Sequence, residues 1–204
     1  MFLMLHSPFS PKILELDCPK EIVDAINSYI DDEDYDPSIF PNLLTRDLDN
    51  IFLPKEFCNE IGLTVFIEMC GVEYLRRVNE IVWDEKDSNP PNPIEVNPVL
   101  PDDEINGKVY KTCWVNRCHG HHFTPIHTHD GSLTGILFLK TLPTDNTMYG
   151  VLEFMFGEQN QFYFDRWHPK QIEGKVLVFP SWLRHCVYPT QSSNERRTMS
   201  FNLI

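Results

Sequence analysis

Histidine is concentrated in one short stretch of this chain. Five of its eight histidines, His119, His121, His122, His127 and His129, fall within eleven residues. The last two belong to Pro125-Ile126-His127-Thr128-His129-Asp130-Gly131-Ser132-Leu133-Thr134-Gly135, which runs straight into the apolar Ile136-Leu137-Phe138-Leu139. In an extended strand, residues two apart project from the same face, so His127 and His129 direct both imidazoles to one side. Two imidazoles on one face at the mouth of a sheet are half of a metal site.

An oxygen-activating non-haem Fe(II) site takes three protein ligands on one face and leaves the other open for co-substrate and O2. A third candidate closes Val178-Phe179-Pro180-Ser181-Trp182-Leu183-Arg184-His185, where His185 follows an apolar strand and a tight turn. Further on, alternation in Asn194-Glu195-Arg196-Arg197-Thr198-Met199-Ser200-Phe201-Asn202 sets Arg196, Thr198, Ser200 and Asn202 on one face. Arg197, Met199 and Phe201 share the other. An arginine with a hydroxyl two residues on, aimed into a barrel, holds a carboxylate by a charge-assisted fork plus one hydrogen bond. Arg197 is then expected to face solvent, and a register shift of one residue would exchange the two arginines.

The elements that must position these groups divide the chain in two. Pro11 to Leu16 alternates and reads as a first, edge strand. From Lys20 to Ile30 the apolar Ile22, Val23, Ile26, Tyr29 and Ile30 recur at helical spacing and should lie on a sheet. Asp31 to Asp36, with five acids in six residues, reads as a solvated loop. Asn42 to Val82 is again helical in pattern, interrupted at Pro54, with Gly62 and Gly71 as the candidate places for a second break. Residues 84–107 carry five prolines and seven acids, and read as a long surface loop or lid. From Lys108 the pattern turns to short strands: Val109 to Val115, Ile136 to Lys140, Val151 to Phe156, Lys175 to Phe179 and Thr198 to Leu203. The expected fold is mainly β, a double-stranded β-helix (jelly roll, cupin-like) core flanked by N-terminal helices. One domain over 1–204 is expected, with a helical part over about 1–83 and the β core over 108–204.

Composition narrows the function classes. With 204 residues, 42% of them hydrophobic and 12% aromatic, the chain can bury a core. A net charge of −13 argues against nucleic acid or an anionic membrane held by electrostatics. The opening Met1-Phe2-Leu3-Met4-Leu5 lacks a basic flank and meets Pro8 within a few residues, so neither a signal peptide nor a membrane span is expected. The six cysteines (Cys18, Cys58, Cys70, Cys113, Cys118, Cys186) form no C-x-x-C pair. They read as free thiols in a reducing, cytoplasmic setting.

Several blocks together carry a resemblance. They are Trp114-Val115-Asn116, the His127-Thr128-His129 run with Ser132-Leu133-Thr134-Gly135-Ile136, then Gly150-x-Leu152-x-Phe154. Gly174-Lys175-Val176-Leu177-Val178-Phe179-Pro180-Ser181-Trp182-Leu183-x-His185 and Glu195-Arg196-x-Thr198-x-Ser200-Phe201-Asn202 complete the set. In order and spacing, from Thr112 to Asn202, they resemble the 2-oxoglutarate/Fe(II)-dependent oxygenases, in the short form found in bacteria and their phages. The resemblance implies a double-stranded β-helix and an oxidoreductase, a dioxygenase that hydroxylates or otherwise oxidises a substrate with O2 and 2-oxoglutarate, releasing succinate and CO2. It implies His127 and His185 as iron ligands and Arg196, assisted by Thr198, as the clamp for the distal carboxylate of 2-oxoglutarate. Asn116 is a candidate contact to 2-oxoglutarate or substrate, or a loop tie. The wider superfamily has His-x-Asp or His-x-Glu. Here the matching position is His129 and the acid follows at Asp130; alternation favours His129, while a strand-end bulge would bring in Asp130.

Other residues have plainer readings. His119, His121 and His122 lack partners at zinc-finger spacing and read as a loop rim. His168 reads as a loop residue, Trp182 as packing beneath the site, and Cys113, Cys118 and Cys186 as packing residues. Two alternatives stand beside the oxygenase: a cupin-type three-histidine metal dioxygenase without 2-oxoglutarate, and a non-catalytic metal-binding jelly roll. The expected partner is a small-molecule or peptide substrate, and the expected state a monomer or homodimer.

Overall fold

A computed structural model describes residues 4–6, 11–32, 49–82, 104–105, 108–109, 113–118, 122–142, 148–157, 165–190 and 194–204. In the first half these form β1 (Met4–His6), β2 (Ile13–Asp17), helix α1 (Lys20–Asp31), β3 (Asp49–Phe52), and helices α2 (Lys55–Glu60) and α3 (Leu63–Val82). A short pair follows, β4 (Glu104–Ile105) and β5 (Lys108–Val109). The remaining strands are β6 (Cys113–Cys118), β7 (Thr124–His127), β8 (Leu133–Lys140), β9 (Leu152–Phe156), β10 (Asp165–Trp167), β11 (Lys175–Pro180), β12 (Arg184–Val187) and β13 (Arg196–Leu203).

Strand alternation builds two layers. A seven-stranded sheet has the order β1-β2-β11-β8-β13-β6-β3, and a four-stranded sheet the order β10-β9-β12-β7; all pairings are antiparallel. One face of the large sheet contributes Leu14, Leu16, Val115, Leu137, Val178, Met199, Phe201 and Leu203 to a core shared with Ile22, Ile26, Ile30, Phe66 and Ile67 of α1 and α3. The other face sends Ile13, Ile136, Phe138, Leu177 and Phe179 against Leu152, Phe154 and Val187 of the small sheet. The large sheet is thus buried on both sides, which is why β8 reads as an unbroken apolar run with seven of its eight residues buried. Gly135 sits where the ring of Phe201 crosses β8, and a Cβ there would lie 1.9 Å from Cζ of that ring. This is the jelly-roll arrangement expected, with helices on the outer face of one sheet.

Helix α1 follows the apolar stripe, with Ile22, Val23, Ile26 and Ile30 buried. Its acidic end is not merely solvated: Asp31 accepts hydrogen bonds from Lys140 and Arg197, while residues 33–36 lie outside the described residues. Two expectations need correction. The strand at Ile13–Asp17 is not an edge, because β1 pairs along its outer side. Residues 49–52 are a strand and not a helix; Asn50 and Phe52 alternate with the fully buried Ile51, and β6 supplies an edge for pairing. Of the stretch read as one strand from Val109 to Val115, Val109 lies in β5 and Cys113 to Val115 in β6, while residues 110–112 lie outside the described residues. The helical break falls at Gly62, whose φ of 73° suits glycine, while Gly71 is inside α3. Of the loop at 84–107 only Glu104–Ile105 is described, in a two-stranded pair with Lys108–Val109. All six cysteines are free, five of them buried. Among the described residues no helix is long and apolar enough to cross a membrane.

Candidate metal centre

Strand pairing between β7 and β12 sets His127 directly opposite His185. His129 lies two residues past the end of β7, and its backbone N–H donates to the Ser181 carbonyl at 2.9 Å. Ser181 in turn donates its own N–H to Ser132 at 3.1 Å. The turn preceding His185 is therefore stitched to the turn following His129. The result brings one ring nitrogen from each of His127, His129 and His185 within 4.8 Å of one another. Ring centroids are 4.3 Å apart for His127–His185, 4.9 Å for His127–His129 and 5.0 Å for His129–His185.

The hydrogen bonds decide which nitrogens face the centre. Nδ1 of His127 lies 2.8 Å from the Pro125 carbonyl, and Nδ1 of His185 lies 2.9 Å from the Leu183 carbonyl. A carbonyl only accepts, so both Nδ1 atoms carry the proton and both Nε2 atoms present lone pairs. Burial disfavours charge on all three rings. It lowers His127, and with the proximity of His127 it brings His129 down to about 3 and His185 well below its ordinary value. Three neutral imidazoles with converging nitrogens, two of them only 3.1 Å apart, are a donor set for a divalent cation. Asp130 is exposed and takes no part in this cluster.

Arg196 and Thr198 stand on the inner face of β13, where Thr198 faces Phe138 across β8 and Asn116 across β6. Arg196 is only 2% exposed, and among the described residues no carboxylate pairs with it. Its Nε and Nη2 both donate to Oε1 of Gln171, at 3.0 and 2.7 Å, and Nη1 lies 3.5 Å from the Thr198 hydroxyl. Burial lowers its proton affinity, opposed by the Cys118 thiol directly across β6. Asn116 donates to the Ser200 hydroxyl at 3.2 Å, so it ties β6 to β13 on the same face.

Two single-residue readings change. Arg197 does not face solvent. It is fully buried on the helix side, paired with Glu195 and Asp31 at 2.6 Å each and donating to the carbonyl and side-chain oxygens of Asn27. The large sheet has helix α1 on that side, which strand alternation alone does not reveal. Trp182 is not beneath the site but 56% exposed, its ring 6.2 Å from that of Phe156. His168 does lie in a loop, where its Nε2 is 2.6 Å from the buried Glu153 carboxylate, which Tyr188 also contacts. His119 and His121 lie outside the described residues.

Three groups near the site were given no site role in the sequence reading. Trp114 lies 5.6 Å from the His129 ring, and Gln171 holds Arg196. Asn50, opposite Asn116 on β3, has a buried side-chain oxygen with no hydrogen-bond partner among the described residues. Asn50 sits in a stretch whose local pattern reads as helix and Gln171 in one without motif or periodicity, so only the folded chain brings them to the site.

Comparison with known proteins agrees with the geometry. Residues 112–202 match the family model described as "Putative 2OG-Fe(II) oxygenase". The match covers 91 of the 204 residues and makes this stretch similar to the 2-oxoglutarate/Fe(II) oxygenases, a family whose cofactors are Fe(II) and 2-oxoglutarate. The chain is similar in fold to a Pseudomonas putida prolyl-4-hydroxylase, with a TM-score of 0.56 at 12% identity over 92% of this chain and 89% of that one. It is also similar to a Trichoplax adhaerens prolyl hydroxylase in complex with a hypoxia inducible factor oxygen degradation domain peptide fragment, with a TM-score of 0.54 at 13% identity over 94% and 83%. A Burkholderia pseudomallei oxidoreductase of the 2OG-Fe(II) oxygenase family aligns at 20% identity over 46% of this chain and 41% of that one, with a TM-score of 0.35. No curated protein matches the chain.

Proposed function

We propose that this protein is an Fe(II)- and 2-oxoglutarate-dependent dioxygenase that hydroxylates a small-molecule or peptide substrate and releases succinate and CO2. The observation that carries the reading is Arg196: a buried guanidinium, without a carboxylate partner among the described residues, on the face lined by the inner core. A buried charge left uncompensated is costly, and a dicarboxylate co-substrate supplies the missing anion. A three-histidine dioxygenase without 2-oxoglutarate shares the ligand set but leaves that charge unexplained.

In this reading His127, His129 and His185 hold the Fe(II), which when bound supplies the redox chemistry of O2 activation. The chain's own work is placement. The Pro125 and Leu183 carbonyls orient two of the ligands, Arg196 and Thr198 receive the distal carboxylate, and Asn116 with Ser200 forms the adjoining wall. Phe138, Phe154 and Phe179 close the interior behind the histidines and keep water out. Trp182, exposed on the turn that bonds both His129 and His185 through its neighbours, is the candidate substrate platform. We read residues 1–204 as one such catalytic unit, since the helices share a core with the sheet that carries Arg196.

Anaerobic calorimetry with Fe(II) and then 2-oxoglutarate tests the proposal, followed by succinate release on admitting O2. Arg196→Ala should weaken 2-oxoglutarate by about 100-fold, the scale of a broken buried charge contact, while leaving Fe(II) binding near wild type. No 2-oxoglutarate binding to the iron-loaded wild type would reject it.

A further inference from the structure

Gln171 is neither a metal ligand nor a residue of the resembling motifs, yet it makes the closest contact to Arg196. Its Oε1 takes both hydrogen bonds on the side edge of the guanidinium, from Nε at 3.0 Å and Nη2 at 2.7 Å. Its Nε2 donates to the Gly150 carbonyl at 3.0 Å, so the amide is held at both ends. Gly150 itself has a φ of 66°, and a Cβ there would come within 3.4 Å of Arg196 Cδ. The arginine stem thus packs against the residue whose carbonyl anchors its partner. Beyond the side edge taken by Gln171, the other contacts of the guanidinium are also neutral, the Thr198 hydroxyl 3.5 Å from Nη1 and the Cys118 thiol opposite on β6, so the end-on edge of Nη1 and Nη2 meets no anion among the described residues.

We propose that Gln171 is a positioning residue that sets the roll of the Arg196 guanidinium and reserves its end-on edge, with its charge intact, for the distal carboxylate of the co-substrate. The inference rests on the proposed use of 2-oxoglutarate. The physical point is the neutrality of the amide. A carboxylate in the same place would form a bidentate pair with Arg196 and cancel the charge that draws in an anion. An apolar side chain would leave the side edge unsatisfied and let the guanidinium turn.

The experiment measures, anaerobically and by calorimetry, the binding of Fe(II), 2-oxoglutarate and 2-oxobutyrate to wild type, Gln171→Glu and Gln171→Met. 2-Oxobutyrate is a keto acid without the second carboxylate, so it does not engage the clamp. The expected result is that Gln171→Glu weakens 2-oxoglutarate by at least about tenfold, the effect of one neutralised charge contact. Gln171→Met should weaken it less, while Fe(II) and 2-oxobutyrate change by under about twofold in both. A general structural defect would move all three ligands together and would overturn the assignment. Unchanged 2-oxoglutarate binding in whichever of the two variants folds would also overturn it. Failure of the iron-loaded wild type to bind 2-oxoglutarate is a separate outcome, seen without any variant, and rejects the dioxygenase reading along with this one.

Discussion

Arg196 and Arg197 are neighbours on one strand and are buried on opposite faces of the same sheet, one among neutral partners and the other among carboxylates. The difference in partners separates a binding charge from a structural one. Arg197 donates to Glu195, Asp31 and Asn27 and so fastens β13 to α1. Arg196 has Gln171, Thr198 and Cys118, none of them a carboxylate, and its charge is the one proposed to take a ligand.

Opposite responses to the same substitution follow. Arg197→Met should lower unfolding free energy by about 2 kcal/mol, because it removes the hydrogen bonds of a buried guanidinium to Glu195, Asp31 and Asn27 while Arg117 and Lys140 keep the two carboxylates paired. 2-Oxoglutarate binding should stay within about threefold of wild type, since the ligand-facing side is untouched. Arg196→Met removes a buried charge that no anion among the described residues compensates. It should leave stability unchanged or raised while abolishing the co-substrate clamp. Urea denaturation midpoints beside calorimetric titrations would decide; a large stability loss in Arg196→Met with none in Arg197→Met would contradict the assignment.

The third ligand can be tested apart from the other two. His129→Ala should weaken Fe(II) by at least the roughly 100-fold that losing even an outer partner of a metal ligand can cost. Asp130→Ala should leave it unchanged, because that carboxylate is exposed and outside the cluster. His129→Asp installs the two-histidine, one-carboxylate set common in non-haem iron sites and should retain binding. Loss of Fe(II) binding in Asp130→Ala would mean that the acid swings inward when metal arrives.

Acid should destabilise the metal-free protein earlier than carboxylate titration explains. An unfolded histidine has a pKa of about 6.5, whereas His129 in the fold is down at about 3 and His127 and His185 are also lowered. Below pH 6.5 the unfolded chain therefore binds protons that the native cluster refuses. This contribution is complete above 6.5 and is lost as pH falls towards 3. Asp31, Glu73 and Glu195, held below the usual carboxylate range by arginine partners, lose their contribution only below about pH 4. With chelator present, the melting temperature should fall between pH 7 and 5, and His129→Gln should flatten that slope. A flat wild-type profile across this interval would be inconsistent with buried, neutral imidazoles.

Much of this molecule could be read without coordinates. His127-x-His129, His185 after an apolar strand, and Arg196-x-Thr198 are local patterns, since period two in a strand dictates which side chains share a face. Runs such as Leu133–Leu139 and Val176–Phe179 announce strands buried on both sides. Helix α1 shows its apolar stripe by spacing alone. What sequence could not settle depends on partners distant along the chain. Asp49–Phe52 is a strand because β6 offers an edge, and its local pattern reads as helix. Arg197 is buried because a helix 166 residues away in sequence brings Asp31 to it. That His129 and not Asp130 converges on His127 and His185 goes with a backbone bond to Ser181, and the setting of Arg196 with an amide on a loop without periodicity. Local spacing determined the kinds of chemistry available; tertiary packing decided which charge is neutralised and which is left for a ligand.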